Sequence, residues 1–334
     1  MAAAILDGKA ETAEILDEVA AGVRALENAG RKACLAAIQA NDDPGTDWYA
    51  KAQAKHCRAN GVEHRHIRMP ADSSEADVIE TIRGLSADPN VSGIILFTPL
   101  PAGSDHLRLA EAMDPVKDAE GVHPANMGKL LISSRVDPAP CTAMAAMRLI
   151  RTARPNLSGA RALVIGRSAT VGKPLALLLL AEHATVTIAH TRSDLRAVML
   201  DAEVVVAAAG ASGARWRAYE QKRDSWLRGE GEQPSRPSLD YLVTMDMVRR
   251  GAVVVDVGDN NIPAALDANG RPALDEKGNP SMRYAGDVDF DKVGDVAGFI
   301  TKPRGSVGPL TNAYLLRNVV RSALCAAGLP WANA

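Results

Sequence analysis

Residues 160–189, ARALVIGRSATVGKPLALLLLAEHATVTIA, decide the fold. Apolar runs form the two ends of this stretch, and between them lie a loop with two glycines and a helical segment. This order is typical of two parallel strands joined by a crossover helix. Further apolar runs at similar spacing follow at 201–209 and 251–257. We therefore expect an open parallel sheet of the Rossmann type, which binds dinucleotides beyond the carboxyl ends of its strands.

The loop within this stretch, GRSATVGKP at 166–174, predicts a phosphate-binding turn. Glycines let the backbone approach a phosphate, and the free N–H groups at the start of a helix attract an anion. The pattern G-x-S-x-x-x-G is less specific than the common G-x-G-x-x-G, and a strand-to-helix turn without a ligand is the alternative. The predicted cofactor contacts in this loop are Gly166, Arg167, Ser168, Val171 and Gly172.

The end of the second strand indicates which nicotinamide cofactor is bound. An NAD site usually has an acidic residue here, which binds the ribose 2′-hydroxyl. In this sequence residues 190–193 read HTRS, and no carboxylate follows until Asp194. Arg167 and Arg192, with nearby hydroxyls, would suit a 2′-phosphate instead, although a solvated Arg192 is the alternative. We therefore favour NADP over NAD, with further contacts from Thr191, Arg192 and Ser193.

The N-terminal half shows the same alternation of helical and apolar segments. Helical spacing of apolar residues covers 11–26 and 49–60, and short apolar runs lie at 33–40 and 91–97. Such alternation indicates layers of strands and helices. Because a domain commonly has about 150 residues, we expect a chain of 334 residues to hold two domains.

The expected fold class is α/β, with two domains and a cleft between them. We expect an N-terminal α/β substrate domain over residues 1–150 and a Rossmann-like NAD(P)-binding domain over residues 151–310. Two stretches of the second domain look inserted. Residues 214–240 are rich in charge, Gly, Pro and Ser and predict a surface excursion, and residues 262–283 contain turn signals typical of a hairpin. The aromatic residues of the first insertion have helical spacing and predict a helix face that packs on the body of the protein, with packing on a partner as the alternative: Trp216, Tyr219 and Trp226.

Charge and composition argue against several classes of protein. Lys and Arg number 38 against 40 Asp and Glu, so no overall positive field attracts nucleic acid or an acidic membrane. No apolar run reaches the roughly 18 residues that span a bilayer, and the first residues do not resemble a signal peptide. The cysteines lack metal-ligand spacing. We therefore expect a cytoplasmic protein that binds no metal, nucleic acid or membrane.

Sequence blocks along nearly the whole chain resemble the methylenetetrahydrofolate dehydrogenase/cyclohydrolase family. They include VSGIILFTPLP at 91–101, DPVKDAEGVHPANMGKL at 114–130 and the loop at 166–174. So many blocks in the same order make a chance agreement negligible. The further blocks are DDP at 42–44 with Tyr49, PCT at 140–142, GAVVVDVG at 251–258, GDVDF at 286–290 and VGPLT at 307–311.

The resemblance implies an oxidoreductase of one-carbon metabolism. The family oxidises 5,10-methylenetetrahydrofolate to the methenyl form by transferring a hydride to a nicotinamide. Its bifunctional members then hydrolyse the methenyl bridge to give 10-formyltetrahydrofolate. The resemblance also implies a reduced folate substrate, a homodimer, and a C-terminal helix at 311–334 that completes the first domain.

The residues that the resemblance assigns to hydrolysis are changed in this sequence. Tyr49 matches the family's Tyr-x-x-x-Lys pattern, but Gln53 stands at the lysine position. Phe97 and Glu120 stand where the family has a supporting glutamine and an aspartate. Hydrolysis needs proton transfer, for which Gln53 has no titratable group, whereas hydride transfer depends mainly on positioning. We therefore expect a dehydrogenase with weak or absent cyclohydrolase activity, and catalytic roles for Tyr49, Gln53 and Glu120.

The resemblance places further residues around the substrate and the nicotinamide. The loop RGSVG at 304–308 departs from the family's P-G-G-V-G, and Arg304 is expected either to meet the glutamate tail of the folate or to be solvated. The predicted substrate contacts are Tyr49, Gln53, Leu96, Phe97, Thr98, Pro99, Glu120, Arg304, Gly305, Ser306, Val307 and Gly308. The remaining predicted cofactor contacts are Gly210, Gly258 and Asp259.

Three hypotheses about function follow. The leading one is an NADP-dependent methylenetetrahydrofolate dehydrogenase without effective cyclohydrolase activity. The second is a bifunctional enzyme in which another group or a bound water replaces the lysine. The third is a non-catalytic folate- or nucleotide-binding protein, or a dehydrogenase of a different reduced pterin.

Overall fold

Strands and helices alternate along most of the chain. The computed structural model describes residues 2–133, 137–238 and 240–331. The strands are β1 (Ala4–Leu6), β2 (Cys34–Gln39), β3 (Glu63–Arg68), β4 (Gly93–Leu96), β5 (Arg161–Ile165), β6 (Thr185–Ala189), β7 (Val204–Ala207), β8 (Val253–Asp256), β9 (Asn260–Pro263), β10 (Met282–Ala285) and β11 (Phe299–Thr301). The helices are α1 (Lys9–Asn28), α2 (Pro44–Ala59), α3 (Glu75–Ala87), α4 (His106–Glu111), α5 (Pro124–Ile132), α6 (Cys141–Ala153), α7 (Gly172–Ala181), α8 (Leu195–Met199), α9 (Ala211–Leu227), α10 (Phe290–Val293) and α11 (Val307–Ala326).

The chain divides into two compact units. The six-stranded unit comprises Met1–Asp7 and Ala146–Val307, and the three-stranded unit comprises Gly8–Ala145 and Gly308–Ala334. The chain passes from one unit to the other three times: between Asp7 and Gly8, within α6, and at the start of α11. Among the helices described, none is both long and apolar enough to cross a membrane.

The six-stranded unit contains a parallel sheet in the order β1-β11-β8-β7-β5-β6. Strands β7 and β8, VVVA and VVVD, are buried along their whole length. Near-continuous apolar sequence is expected there, because helices and loops cover both faces of such a sheet. The predicted α/β fold with an open parallel sheet is thus confirmed.

The first residues of the chain belong to this sheet rather than to the unit that follows them. Strand β1 pairs in parallel with β11, with Ile5 opposite Ile300. The sequence pattern placed these residues in the N-terminal domain, since a three-residue strand has too short an apolar run to show where it pairs. The backbone of β1 extends the edge of the six-stranded sheet.

The three-stranded unit has a parallel sheet in the order β3-β2-β4. Every residue of the central strand β2 is buried, whereas β3, EHRHIR, lies at the edge. Helix α11 packs on this unit: a Cβ at Gly93 of β4 would collide with Val319, and one at Gly22 of α1 would meet Val320.

The two inserted stretches pack together. Strands β9 and β10 form an antiparallel hairpin around residues 264–281, as the turn signals predicted. The first insertion begins as α9, whose Trp216 and Tyr219 are buried against Ile262 and Ala285 of the hairpin. The expected surface excursion therefore applies to residues 228–238, which are mostly exposed, and not to the start of the insertion. The start of the insertion is buried because Trp216 and Tyr219 bring a large apolar area into contact with the hairpin.

Candidate functional site

The predicted cofactor residues follow four neighbouring strands of the six-stranded sheet. Gly166 comes directly after β5, and Thr191 lies two residues after β6. Gly210 lies three residues after β7, and Gly258 two after β8. Because these strands are parallel, their carboxyl ends meet at the same edge, where open α/β sheets bind ligands. The structure thus brings the predicted cofactor residues to one edge.

The loop between β5 and α7 requires glycine at both ends. Gly166 has a φ of 126°, and a Cβ there would collide with the carbonyl of Ala208. A Cβ at Gly172 would collide with the carbonyl of Gly166. The Ser168 hydroxyl accepts hydrogen bonds from the backbone N–H groups of Val171 at 3.1 Å and of Gly172 at 3.4 Å. The result is a compact turn at the start of a helix, where backbone can approach a phosphate.

Two arginines give this edge positive charge. Arg167 and Arg192 are exposed, and among the residues that the structure describes neither forms an ion pair. The turn after β6 is fixed by its own hydrogen bonds, since the Ser193 hydroxyl accepts from the N–H of His190 at 3.0 Å and the N–H of Arg192 donates to the imidazole Nδ1 of His190 at 3.2 Å. Guanidinium groups without carboxylate partners fit a phosphate oxygen better than a neutral hydroxyl. These residues therefore fit the 2′-phosphate of NADP.

Asp287 organises the loop after β7. Its Oδ2 accepts hydrogen bonds from the N–H groups of Ala209 and Gly210, both at 2.8 Å, and its Oδ1 accepts from that of Ala211 at 2.9 Å. A carboxylate is favourable at this point, because it faces the positive end of the α9 dipole. The backbone N–H of Gly210 is therefore occupied by the protein, and a cofactor would contact Gly210 through other atoms.

Asp256 holds the loop after β8 in the same way. It accepts hydrogen bonds from the N–H groups of Gly258, Asp287 and Val288 at 2.9–3.1 Å. Burial raises the pKa of Asp256 to about 7. The neighbouring Asp259 is exposed. Sequence reasoning assigned no role to Asp256 or Asp287, although both lie inside blocks that carry the family resemblance.

The substrate loop predicted at 304–308 follows β11. The Arg304 guanidinium carbon lies 4.4 Å from the centre of the Tyr284 ring, and the Tyr284 hydroxyl donates to the carbonyl of Gly258 at 3.2 Å. Arg304 is exposed but is held by this cation–π contact. Ser306 is buried, and its hydroxyl accepts from the N–H of Lys302 at 3.1 Å. The other loop residues are Gly305, with a φ of 86°, the buried Val307 and the exposed Gly308.

In the three-stranded unit, α2 carries Tyr49 and Gln53 one turn apart. The helix begins at Pro44, earlier than the sequence pattern predicted. Asp43 caps it, because its carboxylate accepts from the N–H of Thr46 at 2.8 Å, and proline suits the first helical position. Tyr49 is therefore interior to the helix, and regular helical geometry places Tyr49 and Gln53 on neighbouring positions of one face.

An aromatic pair forms the wall beside Tyr49. The Tyr49 and Phe97 rings meet edge to face, with centres 5.3 Å apart at 76°. Phe97 is buried after β4, and its N–H donates to the carbonyl of Ile38 at 2.9 Å. Phe97 therefore offers an apolar surface and no proton donor or acceptor at the position that the resemblance gives to glutamine. The neighbouring predicted residues are the half-buried Leu96 and the exposed Thr98 and Pro99.

Glu120 is the acidic group of this site. It is half-buried, and burial together with the charge of Asp118 raises its pKa to about 7. Both carboxylate oxygens of Asp118 already accept hydrogen bonds, Oδ1 from the N–H of Gly121 at 2.9 Å and Oδ2 from the N–H of His123 at 2.8 Å. Burial and the charge of Glu120 raise the pKa of Tyr49 to about 12. The Tyr49 phenol thus stays neutral at physiological pH, whereas the Glu120 carboxyl changes its charge near pH 7.

Gln53 is buried and pairs with a residue that the sequence analysis did not select. Its Oε1 lies 3.1 Å from Nε2 of His64 on β3. Lys51 and Lys55 of the same helix are exposed and do not take the place of the family lysine. The structure therefore brings Tyr49, Gln53, Phe97 and Glu120 together and adds His64 to them.

The Cys141 thiol is not activated as a nucleophile, and the described residues form no metal cluster. Burial and the charge of Glu120 raise the pKa of Cys141 well above its usual value, and its thiol donates to the carbonyl of Ala119 at 3.4 Å. Such a thiol is a poor nucleophile. Within the described parts of the chain, no group of three or more His, Cys, Asp or Glu side chains could hold a metal ion.

Comparison with known proteins gives a family match over most of the chain. The family described as tetrahydrofolate dehydrogenase/cyclohydrolase matches through its catalytic domain at residues 6–120 and through its NAD(P)-binding domain at residues 140–214 and 239–327. The second match leaves out most of the first inserted stretch.

Individual relatives cover nearly the whole chain. The "Bifunctional protein FolD" of Roseiflexus sp. (strain RS-1) is 40% identical over 97% of each chain. The structure of the bifunctional FolD enzyme of Campylobacter jejuni has a TM-score of 0.77 and 31% identity, over 96% of this chain and 99% of that one. The Trypanosoma brucei enzyme, solved with NADP cofactor and an inhibitor, has a TM-score of 0.80 and 28% identity, over 98% of this chain and 99% of that one. The chain belongs to the tetrahydrofolate dehydrogenase/cyclohydrolase family, and its six-stranded unit is an NAD(P)-binding domain.

Proposed function

We propose that this protein oxidises 5,10-methylenetetrahydrofolate to the 5,10-methenyl form by hydride transfer to NADP+, and that it has weak or no cyclohydrolase activity. The observation that carries the proposal is the environment of Gln53. A buried neutral amide stands at the family's lysine position, and the apolar Phe97 stands at the supporting position. Neither side chain can exchange a proton with water or substrate near neutral pH.

Hydride transfer makes smaller demands on these side chains than hydrolysis does. Loss of a hydride from the methylene carbon leaves a cation that the two flanking nitrogens share, so no proton has to be removed. Bound NADP+ would supply the hydride acceptor. Glu120, ionised above about pH 7, brings negative charge close to Tyr49 and can stabilise the developing cation. Tyr49 and Phe97 offer aromatic surfaces against which a pterin can be held.

The preference for NADP over NAD is part of this proposal. It is supported by Arg167 and Arg192, which are exposed at the predicted phosphate position and lack carboxylate partners among the described residues. No acidic side chain stands between the end of β6 and Asp194 to bind a 2′-hydroxyl.

One assay tests the function. The purified protein is mixed with 5,10-methylenetetrahydrofolate and NADP+, and the absorbance of NADPH and that of the methenyl product are followed together. We expect the methenyl product to accumulate in equal amount to NADPH, after correction for spontaneous hydrolysis. Rapid enzyme-dependent decay of that product would contradict the proposal, and no NADPH formation with either cofactor would leave a binding protein or another reduced pterin as substrate.

A bifunctional enzyme is the second candidate. The relative that is 40% identical to this chain is named a bifunctional protein, and so is the Campylobacter jejuni enzyme. Under this hypothesis a bound water or another side chain takes the place of the lysine. The same assay separates the two candidates, because the bifunctional enzyme would consume the methenyl product as it forms.

We also propose that the protein acts in the cytoplasm as a homodimer, which the family resemblance supports. Analytical ultracentrifugation of the purified protein should give about twice the mass of one chain. A mass equal to that of a single chain at micromolar concentration would contradict the homodimer.

A further inference from the structure

A hydrogen bond between β3 and α2 holds the side chain that replaces the family lysine. Nε2 of the half-buried His64 lies 3.1 Å from Oε1 of the buried Gln53. Burial lowers the pKa of His64, so its ring is neutral at pH 7. An amide oxygen can only accept, so Nε2 of His64 carries the hydrogen and donates it. The orientation of the Gln53 amide is thereby fixed at its oxygen end.

The same amide lies one helical turn from Tyr49 of the candidate site. Interaction with Gln53 opposes the rise in the pKa of Tyr49. The two side chains therefore lie close enough to influence each other across one turn of α2.

This nitrogen is left without a partner. It is buried, and nothing within residues 2–133, 137–238 and 240–331 accepts a hydrogen bond from it. Buried donors are almost always satisfied, because leaving one unpaired is costly. An unpaired buried donor one helical turn from Tyr49 is therefore suited to an acceptor atom supplied by a ligand.

We propose that His64 is a positioning residue, which holds the Gln53 oxygen so that the Gln53 N–H2 group donates to an acceptor atom of the bound reduced folate. The inference rests on the proposed function, since it takes the folate as the ligand. A neutral donor differs from an ammonium group in one important respect. It binds an oxygen or nitrogen acceptor without repelling the positive charge that hydride loss creates on the substrate.

The neighbouring histidine of β3 provides a matched control. His66 lies two residues further along the strand, and its Nε2 is 2.9 Å from Oε1 of Gln39. Gln39 in turn donates to Asp47 at 2.8 Å. His66 thus makes the same kind of bond from the same strand to a different glutamine. The His66 ring also lies 6.3 Å from the Phe97 ring, so His66→Ala should affect activity on its own, but additively with Gln53→Ala.

A double-mutant cycle tests the inference. His64→Ala, Gln53→Ala and the double variant are compared in dehydrogenase assays at saturating NADP+. We expect His64→Ala to lower kcat/KM for methylenetetrahydrofolate about tenfold, mainly through KM, because a buried hydrogen bond to the substrate is lost. In the Gln53→Ala background His64→Ala should have no further effect, whereas His66→Ala should act independently of Gln53. His64→Gln, which keeps a donor, should restore kcat/KM to within about threefold of the unmodified protein.

Two results would overturn the positioning role. One is additivity of His64→Ala and Gln53→Ala, and the other is a Gln53 side-chain amide NMR signal that does not shift in His64→Ala. The NMR signal also distinguishes this inference from the proposed function, because it needs no turnover. A wild-type protein that forms no NADPH contradicts the proposed function, while the amide signal still decides whether His64 holds Gln53.

Discussion

Glu120 links the candidate site to pH. Burial and the charge of Asp118 raise its pKa to about 7, so the carboxylate form grows as pH rises through neutrality. If that charge stabilises the cation formed by hydride loss, kcat/KM for NADPH formation should rise through about pH 7 and level off above it. Glu120→Gln should remove the inflection and lower the plateau about tenfold. An unchanged pH profile in the variant would show that another group titrates.

The same raised pKa has the opposite effect on stability. A carboxyl group whose folded pKa lies above its ordinary value of 4.5 destabilises the folded protein when it is ionised. This loss of folding stability is absent at pH 4, grows between about pH 4.5 and 7, and is complete at pH 8. Glu120→Gln should therefore increase the free energy of unfolding by about 1–2 kcal/mol at pH 8 and have little effect at pH 4. Urea denaturation at the two pH values measures this, and a gain confined to low pH would contradict it.

Arg192 is the residue on which the cofactor preference can be tested. Removing a guanidinium that contacts a phosphate costs a charge-assisted hydrogen bond, so Arg192→Ala should lower kcat/KM for NADP+ by about tenfold or more and leave that for NAD+ almost unchanged. Arg196→Ala is the control, because Arg196 is also exposed but pairs with Asp246 at 2.6 Å. Equal losses with both cofactors would show that Arg192 does not recognise the 2′-phosphate.

At the scale of elements, the loop between β5 and α7 has no room for a side chain at Gly172. A Cβ there would overlap the carbonyl of Gly166, and backbone cannot turn away as a flexible side chain can. Gly172→Ala should therefore lower stability by about 1–3 kcal/mol and weaken NADP+ binding. Gly84→Ala in α3 is the matched control, since a Cβ there meets nothing within 4 Å and should be neutral or slightly stabilising. Thermal unfolding and cofactor titration of both variants make the comparison, and equal effects would refute a special role for Gly172.

Element prediction succeeded where burial leaves a clear sequence signal. Strands β5 and β6 were predicted because their apolar runs flank a glycine loop and a helix, and β7 because a further apolar run follows at similar spacing. Strand β3 was not predicted, because an edge strand of sequence EHRHIR has no apolar run and little alternation. His64 was missed for the same reason. Its contact with Gln53 depends on the register of β3 beside β2, which pairing between distant segments sets.

At the scale of the whole molecule, the resemblance located the candidate residues but not their partners. Tyr49, Gln53, Phe97 and Glu120 were found from blocks that keep their order along the chain. The stacking of Arg304 on Tyr284 could not be found in this way. It requires the β9–β10 hairpin to carry Tyr284 back to Gly258, and neither residue's local sequence specifies that long-range contact. Contacts that form only when an inserted segment folds back onto the domain cannot be predicted from the local sequence.

Each unit has its own buried core, so a ligand of one unit should stabilise that unit first. NADP+ at about one hundred times its dissociation constant should add roughly 2.7 kcal/mol to the unit that binds it. Hydrogen exchange should then slow by up to about 100-fold in β5, β7 and β8, where exchange requires unfolding of the sheet, and much less in β2 and β4. Arg192→Ala at the same NADP+ concentration should show a smaller slowing in β5, β7 and β8. Equal slowing of hydrogen exchange in the two units would mean that they unfold together. Slowing confined to β2 and β4 would mean that NADP+ binds the three-stranded unit instead of the six-stranded one.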